Sequence, residues 1–233
     1  MLRFGRWFLL LTAVCTVWGI SGCGQSEPTT PETKTVAETI PTATKAAPTT
    51  LPEVQIVGEI PQYDPDHPQV AIETNLGTIR VELLVKEAPM TVANFLGYAN
   101  RSFYDNTIVH EVSTGFVAFA GAYATDLKPK NVDLPIPNEA KGGRPNKAYT
   151  LAMARSPDSA DSATSQFFFN LADNPSLNHK GDAPEQYGYS VFGEIVAGRE
   201  IVDRIAAMPV LAQGEFTAIP AQTVTIRSIR RIK

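Results

Sequence analysis

The run Ser165-Gln166-Phe167-Phe168-Phe169-Asn170 holds the residues whose types and order point most directly to chemistry. Three aromatics followed by Leu171 read as a strand buried on both sides. A glutamine entering such a strand is unusual, because an amide that loses water without gaining partners costs about 1–3 kcal/mol. One reading makes Gln166 the fraying end of a core strand. The other makes the strand an apolar pocket floor, with one amide aimed at a ligand carbonyl. Other candidates are weaker. His67, His110 and His179 stand far apart without paired ligands, so no metal centre is expected. No Gly-rich phosphate loop follows a strand, and no cofactor is expected. A Ser-His-Asp hydrolase can be assembled on paper, but nothing resembles a nucleophile elbow.

The elements that position this run are short. Residues 70–74, the turn Asn75-Leu76-Gly77 and residues 78–83 read as a hairpin, with Ile79, Val81 and Leu83 inward and Arg80 and Glu82 outward. Pro89 opens a helix in which Val92, Phe95, Leu96 and Ala99 recur at helical spacing up to about residue 101. Strands are predicted over 107–112, 116–120, 149–154, 166–171 and 190–195. A second helix fits 199–208, where Pro209 stops it, and a last strand fits 224–231. Many short strands with only two helices predict a mainly β domain, a closed antiparallel barrel capped by the helices.

The chain has 233 residues, a net charge of -4 and no basic block, so nucleic acid is not an expected partner. Residues 1–22 read as a signal segment, with Arg3 and Arg6 ahead of an apolar stretch from Trp7 to Ile20 that is short for a membrane span. Ile20-Ser21-Gly22-Cys23 resembles the bacterial lipobox, in which the cysteine becomes a lipid-bearing N-terminus. An ordinary secretory signal is the other reading. Cys15 is the only other cysteine and lies in the segment removed, so the exported domain is expected to fold without a disulfide. Residues 23–62 are rich in Pro, Thr, Ala and Glu and nearly free of aromatics, the composition of a disordered tether. Residues 63–233 then form one domain, expected to be a monomer held at a bacterial membrane through Cys23, in the periplasm or another extracytoplasmic space.

Within that domain the motifs Asn94-Phe95, Phe103-Tyr104-Asp105-Asn106-Thr107, Gly115-Phe116, Met153-Ala154-Arg155, Ser162-Ala163-Thr164-Ser165-Gln166-Phe167-Phe168 and Val191-Phe192-Gly193 resemble the cyclophilins, and look most like exported bacterial members. The resemblance spans about residues 70–233. It implies an eight-stranded barrel with two capping helices and a groove for proline-containing polypeptide segments. The implied activity is peptidyl-prolyl cis-trans isomerisation, in the service of protein folding.

That reaction has a barrier of about 18–20 kcal/mol because rotation breaks amide resonance. An enzyme must seat the proline ring in an apolar pocket and stabilise the twisted amide more than the planar one. Twisting localises a lone pair on the prolyl nitrogen, so a donor aimed there is worth most, and the family uses an arginine. The resemblance assigns the proline pocket to Phe116, Val117, Phe168 and Leu177, with Tyr189 beside it. It assigns the substrate-holding amide to Gln166, and the strand edge that the peptide follows to Ala154 and Arg155. The catalytic arginine position holds Glu111, within Val109-His110-Glu111, and the following family proline is Thr114. The family's second glutamine is Phe119 and its neighbouring glycine is Ala120. An ionised carboxylate is acceptor-only. Losing one such donor costs about 3–4 kcal/mol of transition-state stabilisation. The expectation is therefore an isomerase with weak activity, with Arg155 or Arg144 as possible surrogate donors. The alternative is a catalytically inactive prolyl-peptide-binding chaperone or docking module.

Overall fold

The computed structural model describes residues 66–232. The expectations for the signal segment, Cys23 and the tether lie outside the described residues. The chain continues through β1 (Gln69–Thr74), β2 (Gly77–Leu83), α1 (Pro89–Asn100), β3 (Thr107–Ser113), β4 (Val117–Ala124), β5 (Thr150–Met153) and β6 (Phe167–Asn170). After β6 come short 3-10 turns at Pro175–Leu177 and Pro184–Gln186, then β7 (Val191–Ala197), α2 (Arg199–Ala206), β8 (Val210–Gln213), β9 (Phe216–Pro220) and β10 (Val224–Arg231). Eight strands close a barrel in the order β1-β10-β3-β4-β6-β5-β7-β2, every neighbouring pair antiparallel. This is the predicted architecture.

Local chemistry explains the elements that frame the site. In the β1–β2 turn the Thr74 hydroxyl accepts from the Leu76 N–H (3.0 Å) and donates to the Gly77 carbonyl (2.7 Å). Gly77 has φ +138, and a Cβ there would lie 2.7 Å from Ile201 of α2, so the turn tolerates little else. The first residues of α1 lack a local side-chain cap. Their free N–H groups are met from the long β4–β5 connection, where the Glu139 carboxylate accepts from the N–H groups of Met90 and Thr91 and from the Thr91 hydroxyl. A carboxylate at that end also suits the helix dipole. The helix buries Val92, Phe95, Tyr98 and Ala99, and α2 buries Ile201, Val202 and Ile205, in the same core as the inward residues of the barrel. Phe95, Tyr104, Phe167 and Phe192 form the aromatic centre of that core, with ring centroids 4.9–6.5 Å apart.

Two departures from the sequence reading matter. The stretch between α2 and the last strand is a separate two-stranded sheet, β8 with β9, which the sequence reading left without an element. It forms because Phe216 and Ile219 bury against Ile108 of β3. The other departure is at the strand ends. Phe116 precedes β4 and Gln166 precedes β6, so both lie in the approaches to strands and not inside them.

Candidate functional site: an apolar groove on the barrel's outer face

Strand alternation divides the residues of β4, β5, β6 and β7 between two faces. Phe167 and Phe169 point into the barrel, and Phe168 points out. Register then lines up one outward row across five strands. Glu111 pairs with Phe119, Phe119 with Phe168, Phe168 with Ala152 and Ala152 with Val191. Directly opposed residues share a face, so a carboxylate, two phenyl rings and two small apolar side chains form one continuous strip. Val117, Ala154 and Leu84 complete a buried cluster around Phe168, and Phe119, Leu177 and Tyr189 pack on it half-buried. The Phe168 ring lies 5.4 Å from Phe119 and 5.6 Å from Tyr189, both tilted toward edge contact.

Most of the residues that the sequence assigned to a pocket therefore meet here. Val117, Ala154, Phe168, Leu177 and Tyr189 are in one cluster. Phe116 stands at its margin in the β3–β4 turn, 36% exposed. Its carbonyl accepts from the Leu171 N–H and the Asn174 amide, both at 2.9 Å. Gln166 is half-buried at the other margin. Its carbonyl accepts from the Ala154 N–H (2.9 Å), and its amide nitrogen sits 3.3 Å from His110 Nε2. The residues before it are pinned from three sides: Asn94 donates to the Thr164 carbonyl, Tyr104 to the Ser165 carbonyl, and the Ser165 hydroxyl to the Gly121 carbonyl. Gly121 has φ +83, and a Cβ there would come within 2.9 Å of Phe167 and Tyr104. Gln166 is thus held at the groove by its neighbours, with its amide nitrogen reaching the buried His110 ring.

His110 is buried, and burial holds its pKa down to about 4 against a weaker opposite pull from the Ile108 backbone. Among the described residues its Nδ1 has no hydrogen-bond partner. The neutral ring packs between Tyr123 (4.7 Å) and Phe216 (6.0 Å). Glu111 is half-buried. Burial raises its pKa, and no hydrogen bond or ion pair among the described residues opposes that rise.

The two arginines considered as surrogate donors are already occupied. Arg155 donates to the carbonyls of Gly188 (2.8 Å), Ser156 (2.9 Å), Pro157 (3.4 Å) and Pro184 (2.6 Å), and its guanidinium lies 4.8 Å over the Tyr189 ring. It braces the groove wall. Arg144 pairs with Glu87 (3.1 Å) and Glu194 (3.3 Å), carboxylates of the β2–α1 connection and of β7.

Sequence reasoning missed the polar support behind the groove. The Asn146 amide donates to the carbonyls of Leu177 (3.1 Å) and Tyr189 (3.3 Å), and Asn170 donates to Asn146 (3.2 Å) and Thr150 (2.9 Å). Asn174 donates to Asn170 (2.8 Å) as well as to Phe116. All three amides are buried and satisfied, and together they fix the backbones that carry Phe116, Leu177 and Tyr189. The only signal in the sequence was the concentration of asparagines around the aromatic run.

The chain is thus a closed antiparallel barrel that carries an apolar strip on its outer face, with Gln166 at its border. The family model described as cyclophilin type peptidyl-prolyl cis-trans isomerase/CLD matches residues 69–231, and the chain belongs to that family. It is 43% identical over 162 residues to a peptidyl-prolyl cis-trans isomerase of Acinetobacter baylyi, covering 69% of this chain and 84% of that protein. It is 41% identical over 160 residues to peptidyl-prolyl cis-trans isomerase B of Escherichia coli, covering 69% and 97%. A crystal structure of a cyclophilin type isomerase of Cryptosporidium parvum superimposes with a TM-score of 0.58 at 22% identity, covering 72% of this chain and 98% of that one.

Proposed function

We propose that the outer-face groove binds proline-containing segments of exported polypeptides, and that it isomerises them only weakly at neutral pH. The observation that carries the reading is the strip itself: an apolar floor around Phe168, an amide at Gln166, and a carboxylate at Glu111 where the family resemblance expects an arginine. The floor suits a proline ring, and the Gln166 amide suits a backbone carbonyl beside it. An ionised Glu111 offers the twisted amide no donor. The commitments of Arg155 and Arg144 support weak activity, because neither guanidinium is free to replace it.

The test is rescue. Glu111 and Phe119 are opposed in register, so an arginine at one position and a glutamine at the other would be neighbours. Peptide isomerisation should be slow for the wild type at neutral pH, somewhat faster for Glu111→Arg and faster again for Glu111→Arg/Phe119→Gln, with the pair acting non-additively. A wild type that is already fast and loses its activity in Arg155→Ala would contradict the reading. If no variant gains activity although all bind peptide, the second reading stands, a prolyl-peptide-binding chaperone or docking module.

The cellular side of the reading is that Cys23 carries lipid and tethers a monomeric domain to a membrane. A stable anchor needs two acyl chains or an equivalent second signal. Cys23→Ala should leave the membrane fraction or keep its signal segment, and a correctly processed variant that still fractionates with membranes would refute the anchor.

A further inference from the structure

Glu111 is the only charged side chain in the outward row, and a bulge aims it there. The β3–β4 register shifts between Val109 and Glu111, and both Val109 and Val112 turn into the barrel core. Glu111 and His110 are thereby displaced from the inward pattern, the local effect expected of a bulge beside a functional surface. Glu111 stands opposite Phe119 in the β3–β4 register, and the Phe119 ring lies 5.4 Å from that of the floor residue Phe168. No cation or hydrogen-bond donor among the described residues holds it.

We propose that Glu111 in its carboxylic-acid form donates a hydrogen bond to the prolyl nitrogen as the amide twists, so that the chain isomerises prolyl bonds faster in acid than at neutral pH. This rests on the groove reading above. A neutral carboxyl has one O–H donor, which its ionised form lacks. The lone pair released by twisting is the acceptor, and the proton stays on the Glu111 oxygen throughout. No covalent bond is made or broken.

The surroundings favour the neutral form. Burial raises the Glu111 pKa. From β4, Phe119 faces it without charge, and the Tyr123 phenol is raised by burial and by the nearby carboxylates of Glu215 and Glu111. Glu215 comes from the β8–β9 turn and is a second negative charge near the same phenol. His110, adjacent on β3, stays neutral down to about pH 4. β10 meets β3 through Val224, Thr225 and Ile226, none of them charged.

The experiment is exchange NMR on an Ala-Pro tetrapeptide with the full chain, over a pH range from about 4 to 8, spanning the ordinary and raised carboxyl ranges. The wild-type rate constant kcat/KM should rise about tenfold per unit as pH falls toward the Glu111 pKa, and then level off. Glu111→Gln keeps the size and an N–H donor and cannot titrate. Its profile should be flat, and above wild type at neutral pH. Glu111→Ala should be flat and low. A wild-type profile without the acid rise would overturn the proposal, as would a rise that persists in Glu111→Ala. The same spectra report peptide binding. Binding with pH-independent isomerisation overturns the role of Glu111 alone, and no binding at any pH overturns the groove reading with it.

Discussion

Phe167 and Phe168 are consecutive, chemically identical and equally buried, at 0% and 1% exposure, yet they belong to regions built on different terms. Phe167 is enclosed by Phe95, Tyr104 and Phe192, rings that are themselves fully buried. Phe168 is covered by Phe119 and Tyr189, which remain half-exposed. The interior is finished by the chain's own side chains. The outer strip is finished only in part, and a ligand would complete its burial. The difference teaches that burial of a side chain does not by itself separate core from site. What separates them is whether the covering side chains are themselves covered.

The sharpest break of that comparison is truncation of each ring. Removing a buried phenylalanine costs about 3–5 kcal/mol, more where neighbours cannot relax into the space. Phe167→Ala should sit at the top of that range or fail to fold. Phe168→Ala should sit at the bottom, since Phe119 and Tyr189 can move inward, and should lose peptide binding. Chemical denaturation paired with a binding titration checks both. Equal losses of stability, with binding retained in Phe168→Ala, would erase the distinction.

The second contrast is electrostatic, and His110 at the junction of the two regions reports it. Its folded pKa of about 4 lies below the ordinary value of 6.5, so the unfolded chain binds the proton first. Stability should therefore be highest above about pH 6.5 and fall as pH drops toward 4, by at most about 3 kcal/mol. Glu111 has the opposite sign. Its raised pKa costs stability above the ordinary carboxyl range, and that cost is relieved as pH falls through its folded pKa. Denaturation midpoints across pH should show a shallower acid loss in His110→Gln and a steeper one in Glu111→Gln. An unchanged slope in His110→Gln would mean that the imidazole is not held neutral.

A smaller effect is expected from the amide scaffold, which belongs to the groove and not to the interior. Asn146→Ala strands the Tyr189 carbonyl and one donor of Asn170, at a cost of about 1–3 kcal/mol, while the Leu177 carbonyl keeps the Tyr189 N–H at 3.0 Å. It should weaken peptide binding while leaving the barrel intact by circular dichroism. Wild-type affinity in a folded Asn146→Ala protein would show that the groove does not depend on these amides.

The two regions also differed in how far the sequence revealed them. The interior was readable because strand alternation at Ile79, Val81 and Leu83, helical spacing at Val92, Phe95 and Ala99, and the aromatic run all obey local periods. The groove floor was readable mainly through family resemblance. Its supports were not, because a buried asparagine is recognisable only once its partners are known, and those of Asn146 lie 24 to 43 positions away. The same limit hid the duties of Arg155, which reads as a free cation in sequence and is tied to four carbonyls in the fold. The β8–β9 hairpin was missed because its anchor, Phe216 with Ile219, becomes apolar surface in need of cover only beside Ile108.

The central claim is that the strip from Glu111 to Val191 is where a prolyl peptide binds. Titration of the isotopically labelled chain with an Ala-Pro peptide, followed by backbone and methyl NMR, tests it most directly. The account predicts that shifts concentrate at Glu111, Val117, Phe119, Gln166, Phe168, Leu177 and Tyr189, and fade in Phe168→Ala. Shifts confined to another surface, or none at peptide concentrations in the millimolar range, about -4 kcal/mol of binding, would contradict it.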